Sequence, residues 1–251
     1  MHKLTLAMIV KNENVPHFKE CLESVAPYID YYIIADNGST DGTQEFIKEF
    51  FDAKGIEGEV HNVPWVDFGH NRTEVIEMCN GKSEYIFMID ADDHIVGTLD
   101  LDMDKIIEQG WQGHGLRISR GDFTWWRNQI FKTDAQWCYK GVLHEYAFCR
   151  GEQPHNFGRI DGEYHIDART LGARNKNHET GEGIEGIEKY SKDADVLLSA
   201  LTNPEDPSYE PDNSRYQFYL AQSYFDSQQW EKAEEAYASR ANMGGWKEEV
   251  F

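Results

Sequence analysis

Apolar residues in the N-terminal part of the chain follow two patterns in turn. Leu4 to Val10, Tyr31 to Ala35 and Tyr85 to Ile89 are short, nearly continuous apolar runs rich in aromatic and β-branched residues, the way strands buried on both faces read. Glu59 to Trp65 is a further candidate strand. Between these runs, apolar residues recur at helical spacing: Phe18, Cys21, Leu22 and Val25, then Phe46, Ile47 and Phe50, then Val75, Ile76, Met78 and Cys79. Asn14 is placed to cap the first helix, and Pro16 falls where the amide hydrogen has no helical partner to lose. Strands alternating with helices predict an α/β fold, a Rossmann-like, mostly parallel sheet with right-handed crossovers.

After Asp93 the alternation is expected to stop. Gly113 to Ser119, Asp122 to Lys132 and Val142 to Cys149 read as strands too close together for crossover helices, which predicts an antiparallel extension of the sheet. Trp125, Trp126, Trp137 and Tyr139 put aromatic surface there, at least two of the four being expected to be core. From about Gly183 the pattern turns helical, with Ile184, Ile187, Ala194, Leu198 and Leu201, and Pro204, Pro207 and Pro211 then make a linker. From Ser214 the chain fits a tetratricopeptide repeat, with Leu220, Ala221, Tyr224, Ala233 and Tyr237 at its packing positions, while Arg240 and Gly245 depart from it. Residues 1–170 and 171–251 are thus expected to form an α/β domain and a small helical region. Trp246 to Phe251 reads as the start of another helix, so the natural chain is expected to continue.

Composition narrows the function classes. A formal charge of −21 on 251 residues repels nucleic acid and anionic membranes. No run approaches a membrane span and Met1 to Val10 lacks a signal-peptide layout, so a cytoplasmic location is the expectation. The four cysteines, Cys21, Cys79, Cys138 and Cys149, form no Cys-x-x-Cys pair and read as reduced thiols. Cys138, His144, Cys149 and His155 have no zinc-finger spacing.

The candidate chemistry lies where the buried run Tyr85 to Ile89 ends in Asp90, Asp92 and Asp93. Asp90 and Asp92 are two apart, so an extended backbone points both the same way, and two converging carboxylates suit Mg²⁺ or Mn²⁺ completed by substrate phosphates. An acidic turn that keeps a strand end soluble is the bland alternative. In a parallel sheet, however, Lys11 to Glu13 and Asp36 open on the same edge as Asp90 to Asp93, where α/β folds bind ligands.

Four motifs in this order resemble the family 2 glycosyltransferases of the GT-A fold: Val10-Lys11-Asn12-Glu13, Ala35-Asp36-Asn37-Gly38-Ser39-Thr40-Asp41-Gly42-Thr43, Phe68-Gly69-His70-Asn71-Arg72 and Ile89-Asp90-Ala91-Asp92. The likeness covers roughly the first 150 residues, and Arg215 to Phe251 is similar to the helical repeats joined to such enzymes. It implies a nucleotide-diphosphate sugar donor, UDP-linked in most relatives, held by Val10, Lys11, Asn12, Glu13, Asp36, Asn37, Arg72, Asp90 and Ala91. Asp36 would bond the base, or else merely form an Asx turn. Asp90 would approach the ribose or sugar, and Arg72 would pair with the diphosphate or be an exposed helix cation. Asp92 would bind Mn²⁺ or Mg²⁺, with His144 as a further metal ligand, a diphosphate contact or a structural histidine. Ala35 stands where many relatives have another acid, and that contact is missing here.

An inverting transfer also needs a base for the acceptor hydroxyl, and Glu145 is the candidate. If the Val142 to Cys149 strand is regular, His144 and Glu145 face opposite ways. Arg169 is read as a phosphate contact or a surface cation. The acceptor is a glycan or a protein, and the helical region is a contact for the acceptor or for a second copy of the chain. Two rivals remain. A sugar nucleotidyltransferase calls for a Gly-rich basic loop that Lys11-Asn12-Glu13-Asn14 does not provide, and a non-enzymatic repeat scaffold would be expected to have lost the carboxylates.

Overall fold

The computed structural model describes residues 1–151, 153–171 and 186–244. The expected features at Gly183, Ile184, Gly245 and Trp246 to Phe251 lie outside the described residues. The chain forms two compact units. One takes Met1–Val66, His70–Tyr139 and 147–171, and the other takes Asp67–Gly69, Lys140–Tyr146 and 186–244. Two internal segments thus belong to the unit of the C-terminal helices.

Up to residue 167 the chain runs β1 (His2–Val10), α1 (Pro16–Val25), β2 (Tyr31–Asp36), α2 (Thr43–Lys54), β3 (Gly58–Asn62), α3 (Phe68–Met78) and β4 (Ser83–Met88). It continues as β5 (His94–Leu99), α4 (Met103–Gln109), β6 (Gly113–Arg120), β7 (Phe123–Lys132), β8 (Trp137–Lys140), β9 (Tyr146–Cys149), β10 (Phe157–Arg159) and β11 (Gly162–Asp167). One mixed, mostly parallel sheet has the order β3-β2-β1-β4-β7-β6-β11-β5, with β10 beside β6, while β8 and β9 pair separately.

Strands β1 to β4 are parallel, and Val10 sits opposite Asp36 while Ala7 sits opposite Met88. The carboxyl ends of β2, β1 and β4 are therefore neighbours at one edge. The continuous apolar runs arise because both faces of these strands are covered. In β1, Leu4, Leu6, Met8 and Val10 join the core layer that includes Phe18, Leu22 and Phe51, while Ala7 joins the layer with Val75 and Ile76 on the other face.

Three local expectations are corrected. Val15, not Asn14, is the N-cap of α1, because the Asn14 backbone and side chain both donate to Asp41. Alternation does not stop at Asp93, since β5 and α4 follow it, α4 being capped by the Asp102 side chain accepting from Lys105 N. The strand expected from Val142 begins only at Tyr146.

The second unit contains α5 (Gly186–Thr202), α6 (Ser214–Asp226) and α7 (Trp230–Asn242). Asn213 caps α6, accepting from the amides of Arg215 and Tyr216. Alanines 194, 200, 221, 233 and 236 let the helices approach closely around Leu197, Leu201, Leu220 and Tyr224, and Val142 and Leu143 are buried in the same cluster. Leu197 takes the inward position expected of Leu198, and Tyr237 is more exposed than the repeat pattern implied. No helix among the described residues is long and apolar enough to cross a membrane.

Candidate functional site

The loops after β1 and β2 are stitched together before any ligand is considered. Asn12, at φ 55°, donates its amide to Ser39 Oγ (2.8 Å) and accepts at Oδ1 from Thr40 N (2.9 Å). Glu13 N donates to Thr43 Oγ1 (2.8 Å), and the two Asn14 bonds to Asp41 are 3.0 Å each. Such a network fixes loop backbone that would otherwise be mobile. Val10 and Glu13 are buried, Lys11 is half-buried, and the Glu13 carboxylate lies 3.2 Å from His17 Nε2.

Asp36 ends β2 fully buried. Its Oδ1 accepts from Gly38 N (2.8 Å) and Ser39 N (2.7 Å), which is the Asx turn, and Gly38 supplies the positive φ the turn needs. Its Oδ2 is also buried and has no hydrogen-bond partner among the described residues. A buried carboxylate oxygen without a donor is costly and calls for an explanation. Asn37 is fixed beside it, its side chain donating to Val63 O (3.1 Å).

At the end of β4, Arg72 of α3 donates to Asp90 Oδ1, and its guanidinium lies over the Tyr139 ring at 5.4 Å. Arg72 is thus a largely buried, stacked cation rather than an exposed one. Arg127 of β7 reaches the same place, with Nη2 3.7 Å from Asp90 Oδ2 and 3.5 Å from Asp93 Oδ2. Burial pushes the Asp90 carboxyl up, but Arg72 and Arg127 outweigh it and hold it below the usual range. Asp93 goes the other way: burial first, then the charge of Asp90, push it up to about 8.

Arg169 is largely buried rather than a surface cation. It donates from Nε to Asp92 O (2.5 Å), from its amide to Asp93 Oδ1 (3.1 Å), to Glu20 (2.6 Å) and to His17 O (3.2 Å), tying the acidic turn to α1. Leu171 N donates to Asp92 Oδ2 (2.8 Å).

His144 and Glu145 belong to the second unit and lie in a turn, so the opposite-face argument does not apply to them. Gly141 (φ 111°) and His144 (φ 52°) bend this segment. The His144 ring stacks on Tyr219 at 3.8 Å, and its carbonyl accepts from Arg215 Nη2 (2.9 Å). Val142 N donates to Tyr216 OH (3.2 Å), so α6 supports the turn from both ends, and Glu145 is half-buried within it. Of the aromatic set, Trp137 is core, Tyr139 packs against core, and Trp125 is exposed. Cys138 and Cys149 are buried thiols bonded to Phe148 O and Ala135 O.

No group of three or more His, Cys, Asp or Glu forms a metal cage among the described residues. Mg²⁺ and Mn²⁺ with a nucleotide need only one or two carboxylates, and the hard oxygen donors of Asp90 and Asp92 suit them. Burial first, and then the charge of Asp90 and Asp92, raise Asp93, and a divalent cation beside these carboxylates would relieve the part that comes from charge. The donor set therefore fits such an ion.

A mostly parallel sheet with stitched loops and an acidic turn at one edge defines a GT-A-like α/β domain. Residues 5–151, more than half of the chain, match the family model of glycosyl transferase family 2, and the chain belongs to that family. It is 37% identical over 91 residues to the SPbeta prophage-derived glycosyltransferase SunS of Bacillus subtilis (strain 168) and to glycosyltransferase SunS of Bacillus phage SPbeta. Each match takes in 36% of this chain and 20% of the relative, so the likeness spans about a fifth of those proteins. Among solved structures, S. aureus TarS 1–349 in complex with UDP-GlcNAc is 10% identical, covering 96% of this chain and 81% of that one at a TM-score of 0.49. The mannosyltransferase PcManGT from Pyrobaculum calidifontis, in complex with GDP-Man and Mn²⁺, is 15% identical, covering 98% and 76% at a TM-score of 0.39.

Proposed function

We propose that this chain is a metal-dependent, inverting glycosyltransferase that moves a sugar from a nucleotide-diphosphate donor, UDP-linked, to a hydroxyl of a glycan or protein acceptor. The observation that carries this reading is the buried, unpartnered Oδ2 of Asp36, at the end of β2, on the same sheet edge as Asp90 and Asp92 after β4 with β1 between them. In a base-binding role that oxygen accepts an N–H from the base, while Oδ1 holds the loop, so the turn and the ligand role coexist. Val10 to Glu13 and Asn37 form the floor around it, and Asp90 and Ala91 meet the ribose or sugar. Arg72 offsets charge on the diphosphate, and Asp92 holds Mn²⁺ or Mg²⁺, with His144 as a further ligand or diphosphate contact. The divalent ion supplies charge stabilisation for the departing diphosphate. Glu145 removes the acceptor proton as the hydroxyl oxygen attacks the anomeric carbon and the bond to the diphosphate breaks on the opposite face. The same reading makes α6 and α7 a tetratricopeptide-like pair that contacts the acceptor or a second copy, and gives the protein a cytoplasmic address.

The test is thermal stability against UDP, GDP and CDP sugars with and without Mn²⁺, for the chain and for Asp92→Ala. A ligand of the folded state raises Tm by mass action. One nucleotide series that stabilises only with metal, and not Asp92→Ala, is the expected result. No shift with any of them overturns the proposal.

A further inference from the structure

Among the described residues, Arg72, Arg127 and Arg169 hydrogen-bond or ion-pair with the Asp90 to Asp93 turn, and they are held differently. Arg169 spends its side chain on Asp92 O, Glu20 and His17 O. Arg72 hydrogen-bonds Asp90 and stacks on Tyr139. Arg127 instead lies between Asp90 and Asp93 at 3.7 and 3.5 Å, beyond the roughly 2.7–2.9 Å of a charge-assisted hydrogen bond, with 41% of its side chain exposed. It projects from β7 at the position opposite Leu116 of β6. The charge of Asp90 attracts it without fixing its geometry.

We infer that Arg127 is a movable cation for the donor's diphosphate, parked between Asp90 and Asp93 and turning to the phosphate oxygens when a nucleoside diphosphate and a divalent ion bind. The inference rests on the donor-site reading proposed above. A divalent ion at Asp92 brings to the turn the positive charge that Arg127 otherwise provides, weakening its hold on the carboxylates. The diphosphate brings oxygens whose spacing suits the planar guanidinium fork. The exchange moves one side chain and leaves the ion pair of Arg72 with Asp90 intact.

A merely structural Arg127, present to neutralise Asp93, predicts something else, and titration calorimetry on the whole chain separates the two. Affinities for UDP with Mn²⁺ and for Mn²⁺ alone are measured directly, and that for uridine by competition, in wild type, Arg127→Gln and Arg127→Lys. Arg127→Gln is expected to weaken UDP roughly ten- to hundredfold, the loss of one charge-assisted contact, while uridine stays within about twofold. The same change is expected to tighten Mn²⁺ alone severalfold, because a competing cation has gone. Arg127→Lys, which keeps the charge but not the fork, falls between on UDP. Equal weakening of UDP and uridine, or unchanged UDP affinity in Arg127→Gln, overturns the inference while leaving the donor site standing. Failure of the wild type to bind UDP, GDP or CDP with Mn²⁺ overturns both.

Discussion

The two oxygens of Asp36 are in different circumstances, and a single substitution tells them apart. Asp36→Asn keeps an oxygen for the amides of Gly38 and Ser39 but replaces the buried, unpartnered Oδ2 with an NH₂ group that donates instead of accepting. It is expected to fold with a Tm within about 3 °C of wild type and to lose UDP affinity by tenfold or more, as a reversed hydrogen bond in a buried site does. Calorimetry and a melting curve on the same sample check both halves, and retained UDP affinity would count against Asp36 as the base contact. At this scale the sequence was informative about acids: Asp36, Asp90 and Asp92 stand at strand ends, where side-chain type and position together limit what they can do. It was poorer on arginines. Arg127 carries no local signal, since its meeting with Asp90 and Asp93 depends on β7 pairing with β4 and β6, and Arg169 reaches the turn from more than 70 residues away.

Within β6, His114 is buried against Trp111 and Tyr85, and neither ring nitrogen has a hydrogen-bond partner among the described residues. Burial pushes its imidazole down to about 4. As pH falls below about 6.5 the unfolded chain takes up the proton, while the folded chain resists until about 4. The stability tied to this group is therefore complete above pH 6.5 and lost progressively as pH drops toward 4. His114→Phe, which keeps a flat ring in the same space, is expected to raise the urea midpoint and to flatten its fall between pH 7 and 4.5; an unchanged acid slope would rule out His114 as a cause. Elements differ in how visible they are from sequence. β1, β2 and β4 are plain because both faces are apolar, whereas β5 is interrupted by Gly97 at φ 89°, where a Cβ would lie 2.1 Å from Glu163 O. Its partner β11 is more than 60 residues further on, and no short-range pattern announces such a pairing.

The whole molecule is strongly acidic, yet arginines from α3, β7 and the segment after β11 converge on its most acidic turn. Net charge discouraged a nucleic-acid partner as an expectation but concealed this convergence, because residues far apart in sequence do not read as a cluster. The helical region was visible from its spacing. That residues 140–146 count with it was not, because Val142 and Leu143 fit a strand as readily as a helix-packed turn. Removing everything after residue 171 takes away the helices that bury those two side chains. The shortened chain is expected to bind ANS and to elute as aggregates in size-exclusion chromatography, and Val142→Ser with Leu143→Ser in the same fragment is expected to reduce both effects. A monodisperse, ANS-silent fragment would contradict this.

The turn that carries Glu145 has its footing on α6, through Tyr216, Tyr219 and Arg215. That footing matters for inheritance. In a chimera of two such chains, residues 140–146 and α6 have to come from the same parent, although some 70 positions of sequence separate them. A crossover placed between them splits a matched set, so shuffling libraries should yield folded progeny chiefly where both segments, or neither, are exchanged.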